Sequence, residues 1–241
     1  MSGFLEGKRA LITGASKGIG LAVAQALAVN GADIAICSRN KADLEKSLNK
    51  LQDSTKGKAV GRVADVSKSG DVAKLFKSVD GELGGLDILI NNAGVGIFRS
   101  AGELTVEEWD QVIGTNLSGA FYCTREALSR FAQARGGRII NISSLAGKNP
   151  FAGGSAYNAS KFGMNALSEA TMLDHRFDNV QVSYIMPGSV ATEFSGQESR
   201  NKADWKIAPE DIAQIVLDIL RMPERTLISR IEVRPSRPQK N

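Results

Sequence analysis

The chain has a single histidine, two cysteines and three tyrosines among its 241 residues. Each shortage removes a class of chemistry. His175 with the isolated Cys37 and Cys123 cannot build the usual zinc sites, so no metal is expected. His175 stands in LDHRFDN, a polar helix end, and reads as solvated. Both cysteines lie inside apolar segments and read as buried core thiols. Long apolar runs are missing too. The longest, residues 21–29, is interrupted by Gln25 and falls far short of the ~20 residues that span a bilayer. The opening MSGFLEGKRA carries no signal-peptide pattern. The expectation is a soluble, cytoplasmic protein with no membrane partner. Charge of one sign is also in short supply: 30 Lys and Arg face 26 Asp and Glu, giving a net charge of +4. The cations are spread along the chain without interleaved aromatics, so nucleic acid is not an expected partner. A small polyanionic ligand remains compatible.

What the sequence does have is alternation. Apolar segments rich in Ile, Val and Leu occur at 9–13, 33–37, 59–64, 86–90, 138–142, 180–185 and 226–233. Helical patterns fall between them, at 18–29, 41–53, 69–82, 104–134, 155–176 and 209–221. Strands apolar throughout imply burial on both faces, as in a parallel sheet covered by helices. Seven such strands in strict alternation with helices predict one doubly wound α/β domain over 1–241, with no internal linker or repeat. In such sheets ligands bind beyond the carboxyl ends of the strands, so function is expected in the segments following each one.

Those segments are unusually rich in small and polar residues. After the first strand comes TGASKGIG, in which Gly14 would make a tight turn and Gly18 would let backbone approach a pyrophosphate. Gly20 would bring helix and strand close, while the helix N-terminus favours an anion. A plain glycine-rich turn is the alternative. After the second strand, CSRN offers Ser38 and Arg39 where an NAD site would usually carry an acidic residue. Arg39, with Lys17 nearby, suits the extra 2′-phosphate of NADP. After the third, Asp65 could accept from an adenine amine while Val66 covers the ring; an N-cap role for Asp65 or Ser67 is equally open. NNAG (91–94), Ser143 and Ser144, and MPGSVAT (186–192) follow the next three strands. Finally, SAYNASKFG places Tyr157 and Lys161 one helical turn apart, on one face.

Together these residues resemble the short-chain dehydrogenase/reductase family over nearly the whole chain. The resemblance rests on Thr13-Gly14-x-x-x-Gly18-x-Gly20, Asn91-Asn92-Ala93-Gly94, Asn116, Ser144, Tyr157-x-x-x-Lys161 and Pro187-Gly188, in family-like order and spacing. It implies a Rossmann-like sheet, an NADP cofactor and a Ser144–Tyr157–Lys161 centre supported by Asn116, which would hold a water linking Lys161 to solvent. Cofactor contacts are implied for Gly14, Ser16, Gly18, Ile19, Arg39, Asp65, Val66, Asn92, Tyr157, Lys161, Val190 and Thr192. Lys17 joins them from the reading above. A free phenol titrates near 10, and bringing it to ~7 takes ~4 kcal/mol. One ammonium at ~4 Å supplies about that much at an effective dielectric near 20. Lys161 is therefore expected to draw the Tyr157 phenol down toward neutrality, where it can give and take a proton.

The substrate is the least legible part. A reversible hydride transfer to a small carbonyl, or from a secondary alcohol or hydroxy acid, is the first expectation; a 3-oxoacyl-carrier-protein reductase is the alternative. A non-catalytic dinucleotide-binding sensor or scaffold is a third class. A short lid at about 193–208 would leave long acyl groups little cover beyond Phe194 and Trp205. Arg99, Lys148, Arg200 and Lys202 could favour an anionic or polar substrate. Ala156, Ala159, Gly163, Ala166 and Ala170 form a small-residue face that invites a second copy, giving a homodimer or homotetramer.

Overall fold

The computed structural model describes residues 3–55, 57–194 and 204–238. Their strands are β1 (Arg9–Thr13), β2 (Asp33–Ser38), β3 (Ala59–Val63), β4 (Ile88–Asn91), β5 (Gly137–Ile142), β6 (Val180–Pro187) and β7 (Arg230–Val233). All pair in parallel, in the order β3-β2-β1-β4-β5-β6-β7. The helices are α1 (Gly18–Val29), α2 (Lys41–Gln52), α3 (Ser69–Leu83), α4 (Val106–Ile113), α5 (Gly119–Ala134), α6 (Ser155–His175) and α7 (Pro209–Arg221). This is the expected doubly wound, Rossmann-like sheet with helices on both faces.

Successive strand residues point to opposite faces, so the apolar runs feed two cores. Ala10, Ile12, Ile34, Ile36, Ile88 and Ile90 pack with Val23 and Leu27 of α1, Leu44 of α2 and Val216 of α7. Leu11, Ala35, Cys37 and Leu89 pack with Phe76 of α3 and Cys123 and Phe131 of α5. Leu11, Ile12, Ile36 and Leu89 are fully buried, each stabilising the fold by about 2 kcal/mol. Both cysteines are free and buried in the second core. The strand order reverses between β1 and β4, which opens a crevice at their carboxyl ends. Among the described residues no helix is long and apolar enough to cross a membrane.

Four expectations need correction. Burial on both faces fails at the sheet edge: Gly61, Arg62 and Val63 of β3 are exposed, because an edge strand has a neighbour on one side only. The strand expected over 226–233 is confined to Arg230–Val233, preceded by a turn in which Thr226 N donates to Pro223 O. The helix expected over 104–134 is divided by a π-helical turn at Gly114–Ser118, which lies between α4 and α5. Its start is fixed by a reciprocal cap between Thr105 and Glu108. Within α6, Ala156 is fully buried and Gly163 faces Leu117. The exposed stripe of that helix is instead Ala159, Phe162, Ala166, Ala170 and Leu173.

Candidate active site at the carboxyl edge of the sheet

Between β1 and α1 the backbone turns through Gly14 and Gly18, at φ of 63° and 56°, a left-handed conformation that other residues rarely adopt. A Cβ at Gly14 would lie 2.7 Å from Ala93 Cα, and one at Gly20 would lie 2.6 Å from the Gly14 carbonyl oxygen. The glycine spacing is thus imposed by backbone meeting backbone. Asn92 fastens the loop to β4, its Nδ2 donating to Thr13 O and Gly14 O at 3.0 Å each. Thr13 Oγ1 accepts from the main-chain N–H of Asn92 and of Ala93, also at 3.0 Å. Lys17 occupies the N-cap of α1 in an extended conformation, and its side chain caps nothing. The first-turn N–H groups, at the positive end of the helix dipole, remain available to an anion. Gly14, Ser16, Lys17, Gly18, Ile19 and Asn92 all line one cleft of about 1280 Å³.

The ends of β2 and β3 contribute unevenly. Arg39 is exposed on the cleft wall and forms no ion pair with a described residue. Lys17, expected beside it, is held by Glu193 instead, Nζ to Oε2 at 3.3 Å. Val66 lines the cleft. Asp65 is turned into its own loop, where Oδ1 accepts from Ser67 N at 3.0 Å and from Ser67 Oγ at 2.7 Å. Neither Asp65 nor Ser67 caps α3, whose N-cap is Lys68. On the far side, Val190 and Thr192 line the cleft, and Val190 forms a parallel bridge with Ile207. Ala191 N donates to Ile207 O at 2.9 Å and Ile207 N to Ser189 O at 3.1 Å. These bonds close the base of the expected lid, of which residues 195–203 lie outside the described residues.

Tyr157 and Lys161 stand on the first two turns of α6, on one face, and both reach the cleft. Lys161 is 4% exposed; its Nζ donates to Ile142 O at 2.9 Å and sits 5.8 Å from the centre of the Tyr157 ring. Burial pushes its pKa down to about 8. The Tyr157 phenol lies close to the Ser144 hydroxyl, which draws its pKa down. Ser144 Oγ also accepts from Ala146 N at 3.1 Å, at the head of a short 3-10 turn, Leu145–Gly147. That turn is fixed to α6 through Asn165, whose Nδ2 donates to Gly147 O at 3.0 Å while Oδ1 accepts from Ser143 Oγ. Ser144 and Tyr157 are therefore referenced to the same helix.

Asn116 is fully buried inside the π-helical turn. Its Oδ1 accepts from Val95 N at 2.8 Å, and Nδ2 donates to Val95 O and Ser160 Oγ at 3.0 Å each. Ser160 Oγ in turn donates to Tyr157 O at 2.8 Å. Both amide protons of Asn116 are engaged, so the side chain clamps the loop after β4 to the turn of α6 carrying Tyr157. A water on Asn116 would have to donate to one of its oxygens, since both amide protons are engaged.

The sequence profile of a family described as short chain dehydrogenase matches residues 8–203. This chain belongs to the short-chain dehydrogenase/reductase family. It is 35% identical over 234 residues to a sepiapterin reductase of Chlorobaculum tepidum, covering 94% of this chain and 95% of that one. An uncharacterised oxidoreductase of Staphylococcus aureus is 34% identical over 233 residues, covering 96% and 98%. Among solved structures, an alcohol dehydrogenase from the archaeon Thermococcus sibiricus, complexed with 5-hydroxy-NADP, superposes with a TM-score of 0.89 at 30% identity, covering 97% and 99%. A metagenomic short-chain oxidoreductase in complex with NADP gives 0.85 at 35% identity, with the same coverage.

Two features of this family member depart from the sequence reading. Burial raises the Tyr157 phenol above its ordinary value, and the nearby Ser144 hydroxyl only partly opposes the rise. In the protein alone Lys161 does not bring it down, because the ammonium is held on Ile142 O rather than against the phenol oxygen. The second departure is the wall around Tyr157. Sequence reasoning named Phe194 and Trp205 as apolar cover, but Phe98 and Phe151 line the cleft and Trp205 is not among its lining residues. The one available signal was position: each of these phenylalanines lies in a segment following a strand end. Arg99 is paired with Glu108 at 2.9 Å and Lys148 with Glu232. Arg200 and Lys202 lie outside the described residues. Lys206, which sequence reasoning passed over, is on the cleft wall.

Proposed function

We propose that this protein is an NADP(H)-dependent oxidoreductase interconverting a small carbonyl and its secondary alcohol. The observation that carries the reading is the placement of Ser144, Tyr157 and buried Lys161 in the same cleft as the glycine loop. The residues present fit the cofactor. Left-handed Gly14 and Gly18 and the uncapped start of α1 suit a pyrophosphate. Arg39, without an ion pair among the described residues, suits a 2′-phosphate. Val66 would flank the adenine; Val190, Thr192, Tyr157 and Lys161 would lie along the nicotinamide end. When bound, the cofactor supplies or accepts the hydride.

The chain's own residues handle oxygen and proton. Ser144 donates to the substrate oxygen as negative charge develops there. Tyr157, kept protonated near neutral pH by burial, gives its phenolic proton to that oxygen in reduction and takes it back in oxidation. Lys161 supplies a buried positive charge beneath the phenol below about pH 8. Asn116 is a positioning residue, holding the loop after β4 against the Tyr157 turn. The lid at about 193–208, in a single domain over 1–241, would close over the substrate.

The test is NADPH oxidation with a panel of ketones, diketones, aldehydes and acetoacetyl thioesters, alongside oxidation of 3-hydroxy acids. Turnover of ketones or diketones is expected. A specificity constant highest for a carrier-protein thioester would make the protein a 3-oxoacyl reductase. NADPH binding without turnover of any substrate would make it a binding module.

A further inference from the structure

Three phenylalanines surround Tyr157, each from a different loop. Phe98 follows β4, Phe151 precedes α6 and Phe194 begins the lid, with ring centres 5.5, 6.4 and 5.8 Å from that of Tyr157. Phe98 and Phe151 also meet edge to face at 5.6 Å. All three line the cleft, yet they remain 46%, 45% and 39% exposed. Large apolar side chains gathered on a cleft wall and left open on one side mark a surface that receives an apolar group.

Two glycines make this wall possible. A Cβ at Gly96 would lie 2.6 Å from the Phe194 ring and 2.9 Å from Phe98; one at Gly154 would lie 2.6 Å from the Phe151 ring. Any side chain at either position would push a ring out of place. The rings therefore rest on bare backbone beside the group that handles the proton.

We infer that Phe98, Phe151 and Phe194 form an aromatic box that receives an aryl ring attached to the reacting carbonyl, so that the substrate is a neutral aryl ketone or aryl diketone. The inference rests on the oxidoreductase reading above and narrows it. A flat ring makes edge and offset contacts with all three walls, and it loses less conformational freedom on binding than a flexible acyl chain does. Neutrality is inferred from the pairing of nearby cations: Arg99 and Lys148 already face Glu108 and Glu232, and Lys17 faces Glu193. Lys206, on the cleft wall 5.9 Å from the Trp205 ring, faces no carboxylate among the described residues, and the benzoylformate comparison below decides whether it draws an anion.

The experiment measures kcat/KM with saturating NADPH for 1-phenyl-1,2-propanedione, 2,3-butanedione and benzoylformate, in the wild type, Phe98→Ala, Phe98→Leu and Phe151→Ala. Each variant is first checked for a cooperative thermal transition and for NADPH binding. The wild type should prefer the phenyl dione to butanedione by at least about tenfold. Each alanine variant should lower that ratio at least about threefold, with Phe98→Leu between. A ratio near one in the wild type, or one that no variant lowers, overturns the box. So does a preference for benzoylformate, which would assign the pocket to an anion. Should no carbonyl be turned over, the oxidoreductase reading fails and the box is judged by binding. Saturable binding of the phenyl dione to the NADPH complex, weakened in Phe98→Ala, upholds it; absence of binding removes it.

Discussion

The two halves of the cleft are built on different principles. The half formed by the ends of β1 and β2 is made largely of backbone, with Arg39 an exposed side chain on its wall. Gly14 and Gly20 are fixed by contacts with Ala93, Asn92 and Gly14 itself, Gly18 by its left-handed backbone, and the N–H groups of α1 face the anion. The half formed beyond β4, β5 and β6 is made of side chains: Ser144, Tyr157 and three phenylalanines carried on separate loops. Backbone recognition leaves little freedom to vary, because the constraint is steric and local. Side-chain recognition can be rewritten one loop at a time without disturbing the first half. Cofactor and substrate should therefore respond to largely separate substitutions.

The largest expected separation comes from Tyr157→Phe. Turnover should fall on the order of 10³-fold, since the transferable proton is lost, while NADPH affinity changes by less than about tenfold. Rates beside fluorescence titration of NADPH decide this; an active Phe variant would remove Tyr157 from the chemistry. Lys161 serves both halves, and its replacement should stabilise the fold. Its pKa is depressed from 10.5 to about 8 by burial, so the unfolded chain holds the proton more tightly. That penalty is fully present below pH 8 and is relieved as pH rises from 8 to 10.5. It corresponds to about 3 kcal/mol, against about 1 kcal/mol for the lost Ile142 hydrogen bond. Without cofactor, Lys161→Met should raise Tm at pH 7 on the order of 5 °C and abolish the rise in stability between pH 8 and 10.5. Melting curves across that range read both effects.

Arg39→Asp should act on the cofactor half alone. NADP(H) affinity should drop at least about tenfold with the charge-assisted contact gone, and the wild-type preference over NAD(H) should vanish or invert. Equal wild-type dissociation constants for the two cofactors would deny Arg39 its role. The smallest effect concerns neither half. The exposed stripe Ala159, Phe162, Ala166, Ala170 and Leu173 on α6 is expected to meet a second copy, giving a dimer or tetramer. Light scattering at micromolar concentration should show that assembly in the wild type and its weakening in Ala166→Glu.

The contrast between the halves also explains what the sequence disclosed. Gly14, Gly18 and Gly20 were readable because a backbone constraint admits one residue type at a fixed spacing. Tyr157 and Lys161 were readable because one helical turn relates them. Phe98 and Phe151 were not, since no periodicity links two loops that only the fold brings together. The exposed pairing of Lys17 with Glu193, 176 positions away, was not readable either. The π-helical turn at Gly114–Ser118 was hidden for another reason: one inserted residue barely alters an apolar stripe. Asn116 was named through the family resemblance, but its grip on Val95 and Ser160 depends on contacts that spacing does not encode.

The two buried thiols give the molecule a built-in gauge of its own opening. Burial lifts Cys37 to about 11 and pushes Cys123 upward as well, so neither presents the thiolate that alkylating reagents attack. Both belong to the same face of the sheet, Cys37 on β2 and Cys123 on α5. A thiol reagent at neutral pH therefore reaches Cys123 only when that helical layer lifts away from the strands, whereas Cys37 also borders the cleft. The rate of incorporation at Cys123 times the exposure of that layer, without any label having to be engineered in.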